Sequence, residues 1–248
     1  MNEIIERMSA AEAGVLLQRV RERRPRVHAL MNTVVQKFTA DGITAVGAIP
    51  SMTSSLEEIA DFVTKADALT INLGTLDQER RKVIRLAVEV ANAAGKPWIV
   101  DPVHCDYSPG RLAFARELIA LGPTVVRGNR AEMALIGDTQ ASLRIETGPV
   151  DHLQDGPVHV VVRNGHPLMA KVTGTGCLSG GVIAAFLAVE KNALKAAAAA
   201  LATTGVAAER AAVEARGPGS FEPAFLDALA ELSGEDLSKD ARIDHETA

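Results

Sequence analysis

Ala68-Leu-Thr-Ile-Asn72, Trp98-Ile-Val-Asp101 and Thr124-Val-Val-Arg127 are three short apolar runs with helix signals between them. Asp77 to Ala94 carries helical periodicity and stops at Gly95, a residue suited to a helix C-terminus. Arg111 to Leu121 is a second helix, and Asn129 to Ile136 a third, shorter one. Strands that alternate with helices build parallel β-α-β units. The runs are apolar throughout, as expected of strands covered on both faces. Residues 68–136 therefore predict an α/β fold with a central, mostly parallel sheet flanked by helices.

Upstream, residues 3–22 predict a helix that turns Ile4, Ile5, Met8, Val15, Leu16 and Val20 inward and ends before Pro25. Val27 to Leu30 is a short strand, which makes His28 a strand residue. Thr33 to Val46 is helix-like, and Ala48-Ile49 a second short strand. Leu56 to Thr64 is a helix with Ser54 or Ser55 as its N-cap. Downstream, Leu143–Glu146 and Val158–Val162 are strands on either side of a loop at Asp155-Gly156. Helices follow over 177–189, 192–215 and 221–233. No Pro-, Gly- or Ser-rich linker divides the chain, so residues 1–233 read as one domain. Residues 234–248 are charged and aperiodic, and read as a flexible tail.

The 248 residues are 47% hydrophobic and 23% charged, an ordinary globular balance. The net charge of −5 and the lack of a basic patch argue against a nucleic-acid partner. The longest apolar run, Ala196 to Ala202 with an extension past two threonines to Ala208, is too short for a membrane span of about 20 residues. The start of the chain has no signal-peptide pattern, and two cysteines make no disulfide framework. Together these features predict a cytoplasmic protein.

In open parallel sheets, ligands bind beyond the carboxyl ends of the strands. That rim collects Asn72, Gly74 and Thr75; Asp101 and Pro102; Arg127, Asn129 and Glu132; and Thr147-Gly148. It also collects Lys171-Val-Thr-Gly-Thr-Gly-Cys177-Leu-Ser-Gly-Gly181, a glycine-rich turn that runs into a helix. A helix N-terminus is an anion site, and its field should make the Cys177 thiol easier to ionise. Carboxylates for Mg²⁺, a fixed cation and amide donors on one rim suit phosphoryl transfer. Each residue also has a plainer reading: Asp101 as a turn residue before Pro102, Asn129 and Glu132 as a helix capping box, and Cys177 as packing. His104 and Cys105 are adjacent and have no partner cluster, which is poor zinc spacing.

These motifs together resemble the hydroxyethylthiazole kinase family over roughly residues 10–233. The resemblance rests on Met31-Asn32, Phe38-Thr-Ala-Asp-Gly42, Gly47-Ala-Ile-Pro-Ser-Met52, Asn72-Leu-Gly-Thr75, Asp101-Pro-Val103 and Arg127-Gly-Asn-Arg-Ala-Glu132. Asn164-Gly-His-Pro-Leu168, the 172–177 run and Gly217-Pro-Gly-Ser-Phe221 complete it. It implies a three-layer ribokinase-like fold, a homotrimer with sites between subunits, and transfer of phosphate from ATP to the hydroxyl of 4-methyl-5-(2-hydroxyethyl)thiazole. By resemblance, Met52 and Gly174 contact the thiazole, Arg127 and Thr147 contact ATP, Asp101 and Glu132 serve Mg²⁺, and Cys177 is catalytic.

The sequence departs from the family at His104-Cys-Asp-Tyr107, where the family is usually glycine-rich. It also departs at Pro149, and at 137–142, where the family has a longer helical segment. One layer should thus be shortened near 137–142, with a looser Thr147-Gly148 loop and weak ATP binding. The alternatives are a non-catalytic or weakly active thiazole-binding homologue with an impaired ATP site, and a hydroxymethylpyrimidine-type kinase.

Overall fold

The computed structural model describes residues 8–139 and 142–246. Nine strands form one sheet in the order β2-β1-β3-β4-β5-β6-β7-β8-β9. The six parallel strands are β1 (Arg26–Leu30), β2 (Ile49–Ser51), β3 (Ala68–Asn72), β4 (Trp98–Asp101), β5 (Val125–Asn129) and β6 (Leu143–Thr147). β7 (Asp151–Asp155), β8 (Val158–Val162) and β9 (Ile243–Glu246) continue the sheet antiparallel. β7 is a strand where the sequence pattern marks none. Its Asp-His-Leu-Gln-Asp sequence has a single apolar residue, Leu153, and pairing with its two neighbours makes it a strand.

Helices cover the two faces unequally. On one face lie α1 (Ala10–Arg23), α2 (Gln36–Ala45), α7 (Thr175–Leu187), α8 (Ala193–Glu214), α9 (Pro218–Glu231) and α10 (Gly234–Asp240). On the other lie α3 (Ile59–Lys65), α4 (Gln78–Ala93), α5 (Pro109–Ile119) and α6 (Arg130–Ile136). Among the described residues, the second core ends at Ile136. The shortened layer expected near 137–142 lies partly outside the described residues; among those described, α6 is the last helix of this layer and packs on β5 and β6. On that side the face of β6–β9 is polar. Alternation turns Arg144, Glu146, His152, Gln154, His159 and Glu246 to it, while Ile145, Leu153, Val160 and Val162 face the first core. The connection does not disturb the sheet, because β5 and β6 pair in register from Val125↔Leu143 to Asn129↔Thr147.

Residues 234–246 are not a loose tail. Ser233 and Asp236 form a capping box at the start of α10, and Arg210 bonds to both Asp236 and Asp240. Gly14 and Gly234 let α1 and α10 approach closely; a Cβ on Gly14 would lie 2.2 Å from the Gly234 carbonyl oxygen. β9 then pairs with β8, and Arg163 bonds Asp244 at 2.6 Å. The charges that suggested a solvated tail are partners of charges elsewhere.

The first helix begins at Ala10, behind a Ser9–Glu12 capping box. The expected inward placement of Ile4 and Ile5 lies outside the described residues. Val15 points outward, 58% exposed, because the buried stripe runs Ala13, Leu16, Leu17, Val20. α3 starts three residues later than expected; Ser55 instead accepts from Glu57 in the turn before it. The alanine run is buried all round within α8. No helix among the described residues is long and apolar enough to cross a membrane.

Candidate active site

The carboxyl ends of the parallel strands build a continuous polar chain. Asn32, just past β1, donates to Asn72 Oδ1 at 3.0 Å and lies 3.7 Å from the Cys177 sulfur. Asn72 ends β3. Its amide donates to Asp101 Oδ2 at 3.1 Å and to Cys177 Sγ at 3.3 Å. Asp101 ends β4 and also receives Arg127 at 2.9 Å from β5, and the Val103 N–H at 3.2 Å. Cys177, Asp101 and Arg127, predicted from separate motifs, are thereby joined. The hydrogen bonds from Asn32 and Asn72 make both residues part of the site.

Arg80 belongs to none of the sequence motifs of the rim. It sits on the inward stripe of α4, yet it is charged, and it caps the carbonyls of Leu30, Met31 and Asn72 at 2.9–3.2 Å. A cation on an apolar stripe was the available signal. By closing the ends of β1 and β3, Arg80 fixes the backbone from which Asn32 and Asn72 project.

α7 begins at Thr175, two residues earlier than expected, with Gly174 as its N-cap at φ +101°. Only glycine fits there without strain, and a Cβ would lie 2.6 Å from Val35 Cγ1. Gly176 faces Arg127, whose NH2 would stand 3.2 Å from any Cβ at that position. Cys177 is the third residue of the helix. Its thiol is not easier to ionise, as the helix field alone suggested. Burial pushes it up to about 11, Asp101 adds to the rise, and Arg127 and the two asparagines only partly oppose it. Burial likewise pushes the Asp101 carboxyl up against the opposing pull of Arg127.

Glu132 does form the capping box that its spacing suggested: its N–H donates to Asn129 Oδ1 at 3.0 Å, and its Oε2 accepts from the Asn129 N–H at 2.8 Å. Its Oε1 also holds the His104 N–H at 2.8 Å, which ties the β4 rim to α6. Cys105 is buried, and burial pushes its thiol up to about 11; His104, expected to have no partner cluster, comes together with Asp106 and Glu132 instead.

A cavity of about 640 Å³ opens on the β6 side of Arg127. Arg127, Thr147, Asp151, Lys171, Gly176 and Ser179 line its polar part, and Pro167, Met169 and Leu201 its apolar part. Both predicted ATP contacts border it. Arg127 is 6% exposed, and its Nε has no hydrogen-bond partner. Thr147 donates to the Gly128 carbonyl at 3.2 Å. Asp151, also outside those motifs, accepts from the Gly148 N–H at 3.1 Å and so pins the loop that had been expected to be loose. Burial pushes its carboxyl up to about 6, with Gly148 and Arg127 opposing.

Met52 lies apart from this group. It follows the edge strand β2, three inter-strand steps from β4, or about 14 Å at the usual spacing. His28 proves to be more than a strand residue. It is buried and held neutral, its pKa lowered to about 4 by burial. One ring nitrogen meets Ser51 Oγ at 2.9 Å and the other donates to the Thr53 carbonyl at 3.1 Å, so it clamps both neighbours of Met52.

A mostly parallel sheet between helical layers, with a polar rim at its carboxyl end, defines the ribokinase-like class. A ribokinase-like superfamily protein from Enterococcus faecalis V583 superposes with a TM-score of 0.66 at 14% identity, covering 86% of this chain and 89% of that one, a likeness of fold alone. The chain belongs to the hydroxyethylthiazole kinase family, whose family model matches residues 17–144 and 139–235, two segments that meet at the short connection. A probable hydroxyethylthiazole kinase from Agrobacterium fabrum is 75% identical over 238 residues, 96% of this chain and 97% of that one. A solved hydroxyethylthiazole kinase protein from Pyrococcus horikoshii OT3 has a TM-score of 0.92 at 36% identity, covering 94% of this chain and 98% of that one.

Proposed function

We propose that the rim transfers the γ-phosphoryl group of ATP to the hydroxyl of 4-methyl-5-(2-hydroxyethyl)thiazole, a step of thiamin salvage. The observation that carries this reading is Arg127. A buried guanidinium with a free Nε, set against the start of α7 and opening on a cavity large enough for a nucleotide, is a phosphate site. Thr147 and the apolar wall serve the rest of ATP. The thiazole lies on the other side of Cys177, against Gly174 and, through the assembled protein, Met52.

The substrate oxygen forms a bond to the γ-phosphorus, the β–γ bridging bond breaks, and ADP leaves with its electron pair. The hydroxyl proton departs late in such a loose transition state and ends in solvent. Cys177 is a neutral thiol before substrate arrives, so its role is to orient the hydroxyl rather than to stand as a strong base. The N–H groups at the start of α7 and the Arg127 side chain stabilise charge on the transferring group.

The acidic residues fit Mg²⁺ of the kind that keeps its waters. Asp101 and Glu132 offer hard oxygens, but each already accepts hydrogen bonds from the protein, so they would hold the ion through water. Bound there, Mg²⁺ would neutralise charge on the ATP phosphates.

The reading extends to a cytoplasmic homotrimer. Ile49 on β2 and Phe62, both exposed, line one surface hollow together with Pro50 and Ser51 just before Met52, and supply an apolar patch for a neighbouring subunit. Two free cysteines suit a reducing compartment. A coupled assay for ADP that compares the thiazole alcohol with a hydroxymethylpyrimidine tests the substrate, and turnover of only the pyrimidine overturns it. Light scattering should give three times 26.1 kDa. A monomer at micromolar concentration would remove the basis for a shared site.

A further inference from the structure

The polar face of β6–β9 carries a group of side chains that the kinase site does not use. His152 lies on β7, His159 on β8 and Glu246 on β9, three adjacent strands. His159 is directly opposite Glu246, and Gln154 is opposite His159, which puts His152 one pleat along on the same face. The two imidazoles stack with centroids 5.3 Å apart and planes 12° from parallel. His152 Nδ1 and His159 Nε2 face each other at 3.3 Å. Glu246 Oε2 approaches His159 Nδ1 at 3.0 Å, and one ligand atom from each of the three residues lies within 4.8 Å of the other two.

We propose that His152, His159 and Glu246 bind a divalent transition metal ion of the zinc type. Two ligands at about 2.0–2.1 Å from zinc, at the tetrahedral angle, stand about 3.3 Å apart. That matches the separation between the two facing imidazole nitrogens, whose present hydrogen bond the ion would replace. The rings sit on paired strands of one sheet, so little needs to be ordered on binding. Glu246 lies within reach as the third donor and would exchange its contact with His159 Nδ1, the nitrogen the ion does not take, for the metal; Arg163 stands near its other oxygen at 3.5 Å. His159 and Glu246 are 29% and 44% exposed, so an ion can enter and water can complete its shell.

The donor set sets this ion apart from the kinase's Mg²⁺, since imidazole nitrogens favour zinc, copper and nickel over hard cations. The metal fastens the four-residue edge strand β9 to β8 and β7. β7 starts at Asp151, which turns to the opposite face and lines the nucleotide cavity. Occupancy therefore stiffens the strand that supports Thr147-Gly148 without touching the ligands.

The test uses tag-free, metal-stripped full chain titrated with zinc sulfate by calorimetry. One zinc ion per chain should bind with a Kd of about 1–10 µM. His152→Ala and His159→Ala should each weaken it about tenfold or more, and together abolish it. His104→Ala, which alters the separate His104, Asp106 and Glu132 group, should leave zinc affinity as it was. Zinc should also raise the melting temperature of the wild type but not of the double variant, a readout internal to each protein and so independent of the variant's own stability. Zinc binding that survives the double variant, disappears with His104→Ala, or is absent at about 1 mM zinc would overturn the proposal.

Discussion

Asn72 donates to the Cys177 sulfur at 3.3 Å and, through the same amide nitrogen, to Asp101 at 3.1 Å. One side chain at the end of β3 thus fixes the distance between the thiol on α7 and the carboxylate on β4. Burial, and then the nearby Asp101, explain why Cys177 resists ionisation despite its place in a helix first turn; the Asn72 hydrogen bond to the sulfur only partly opposes them.

This gives a prediction for thiol reactivity. In a Cys105→Ser background, iodoacetamide should alkylate Cys177 more slowly than it alkylates a free cysteine at pH 7.5. The rate should still be climbing at pH 10, because the thiol titrates near 11. A midpoint below about 8.5, the free-cysteine value, would show that the helix field dominates and would restore a thiolate base.

Arg127 and Asp101 are a buried pair, and removing one partner strands the other. Arg127→Met should lower stability by about 3–5 kcal/mol. The double variant Arg127→Met with Asp101→Asn should regain much of that loss in urea denaturation, because no lone charge is left inside. ATP binding should fall about tenfold or more in both variants and not recover in the second. Calorimetry that finds ATP binding restored by Asp101→Asn would remove Arg127 from the phosphate site.

Much of the fold could be read in the sequence because its strands are apolar on both sides and its helices are properly stopped. Ala68–Asn72, Trp98–Asp101 and the Asn129–Glu132 capping box needed only local rules. The rest depends on contacts distant in sequence. β7 has one apolar residue and becomes a strand by pairing with β6 and β8, while β9 and α10 are ordered by Arg163, Arg210 and Gly14. In the site, residue types on the rim were legible, but the charge state of Cys177 was not, since it depends on burial and on a carboxylate 76 positions away. Weak ATP binding was expected from the short 137–142 connection. That connection enters β6 at the end opposite Thr147, and Asp151 secures the Thr147-Gly148 loop, so the nucleotide cavity keeps its walls.

Asp151 makes a prediction with a definite sign. Its folded-state pKa near 6 lies above the unfolded value of about 3.9. Between these values the folded state holds a proton that the unfolded chain has lost, so this group's contribution to stability is present below pH 4 and is lost as pH rises to 6. The melting temperature of wild type minus that of Asp151→Asn should therefore fall between pH 4 and pH 6. A difference that rises over that window would mean Asp151 is stabilised as the anion.

Gly174 cannot be replaced cheaply. Its φ of +101° and the 2.6 Å approach to Val35 Cγ1 combine backbone strain with a clash. Gly174→Ala should cost about 1–3 kcal/mol in denaturant unfolding and raise the KM for the thiazole more than that for ATP. Equal effects on both substrates would place Gly174 outside the thiazole side.

The most direct test is the rate of ADP formation by wild-type protein and Cys177→Ala, each given Mg·ATP with and without the thiazole alcohol. If the rim is a phosphoryl-transfer site with Cys177 orienting the acceptor, wild type forms ADP only with the alcohol present, one equivalent per thiazole phosphate. Cys177→Ala should then lose a factor of about 10²–10⁴ in kcat with little change in KM. Alcohol-independent ADP release by wild type, or undiminished turnover by Cys177→Ala, would contradict the account.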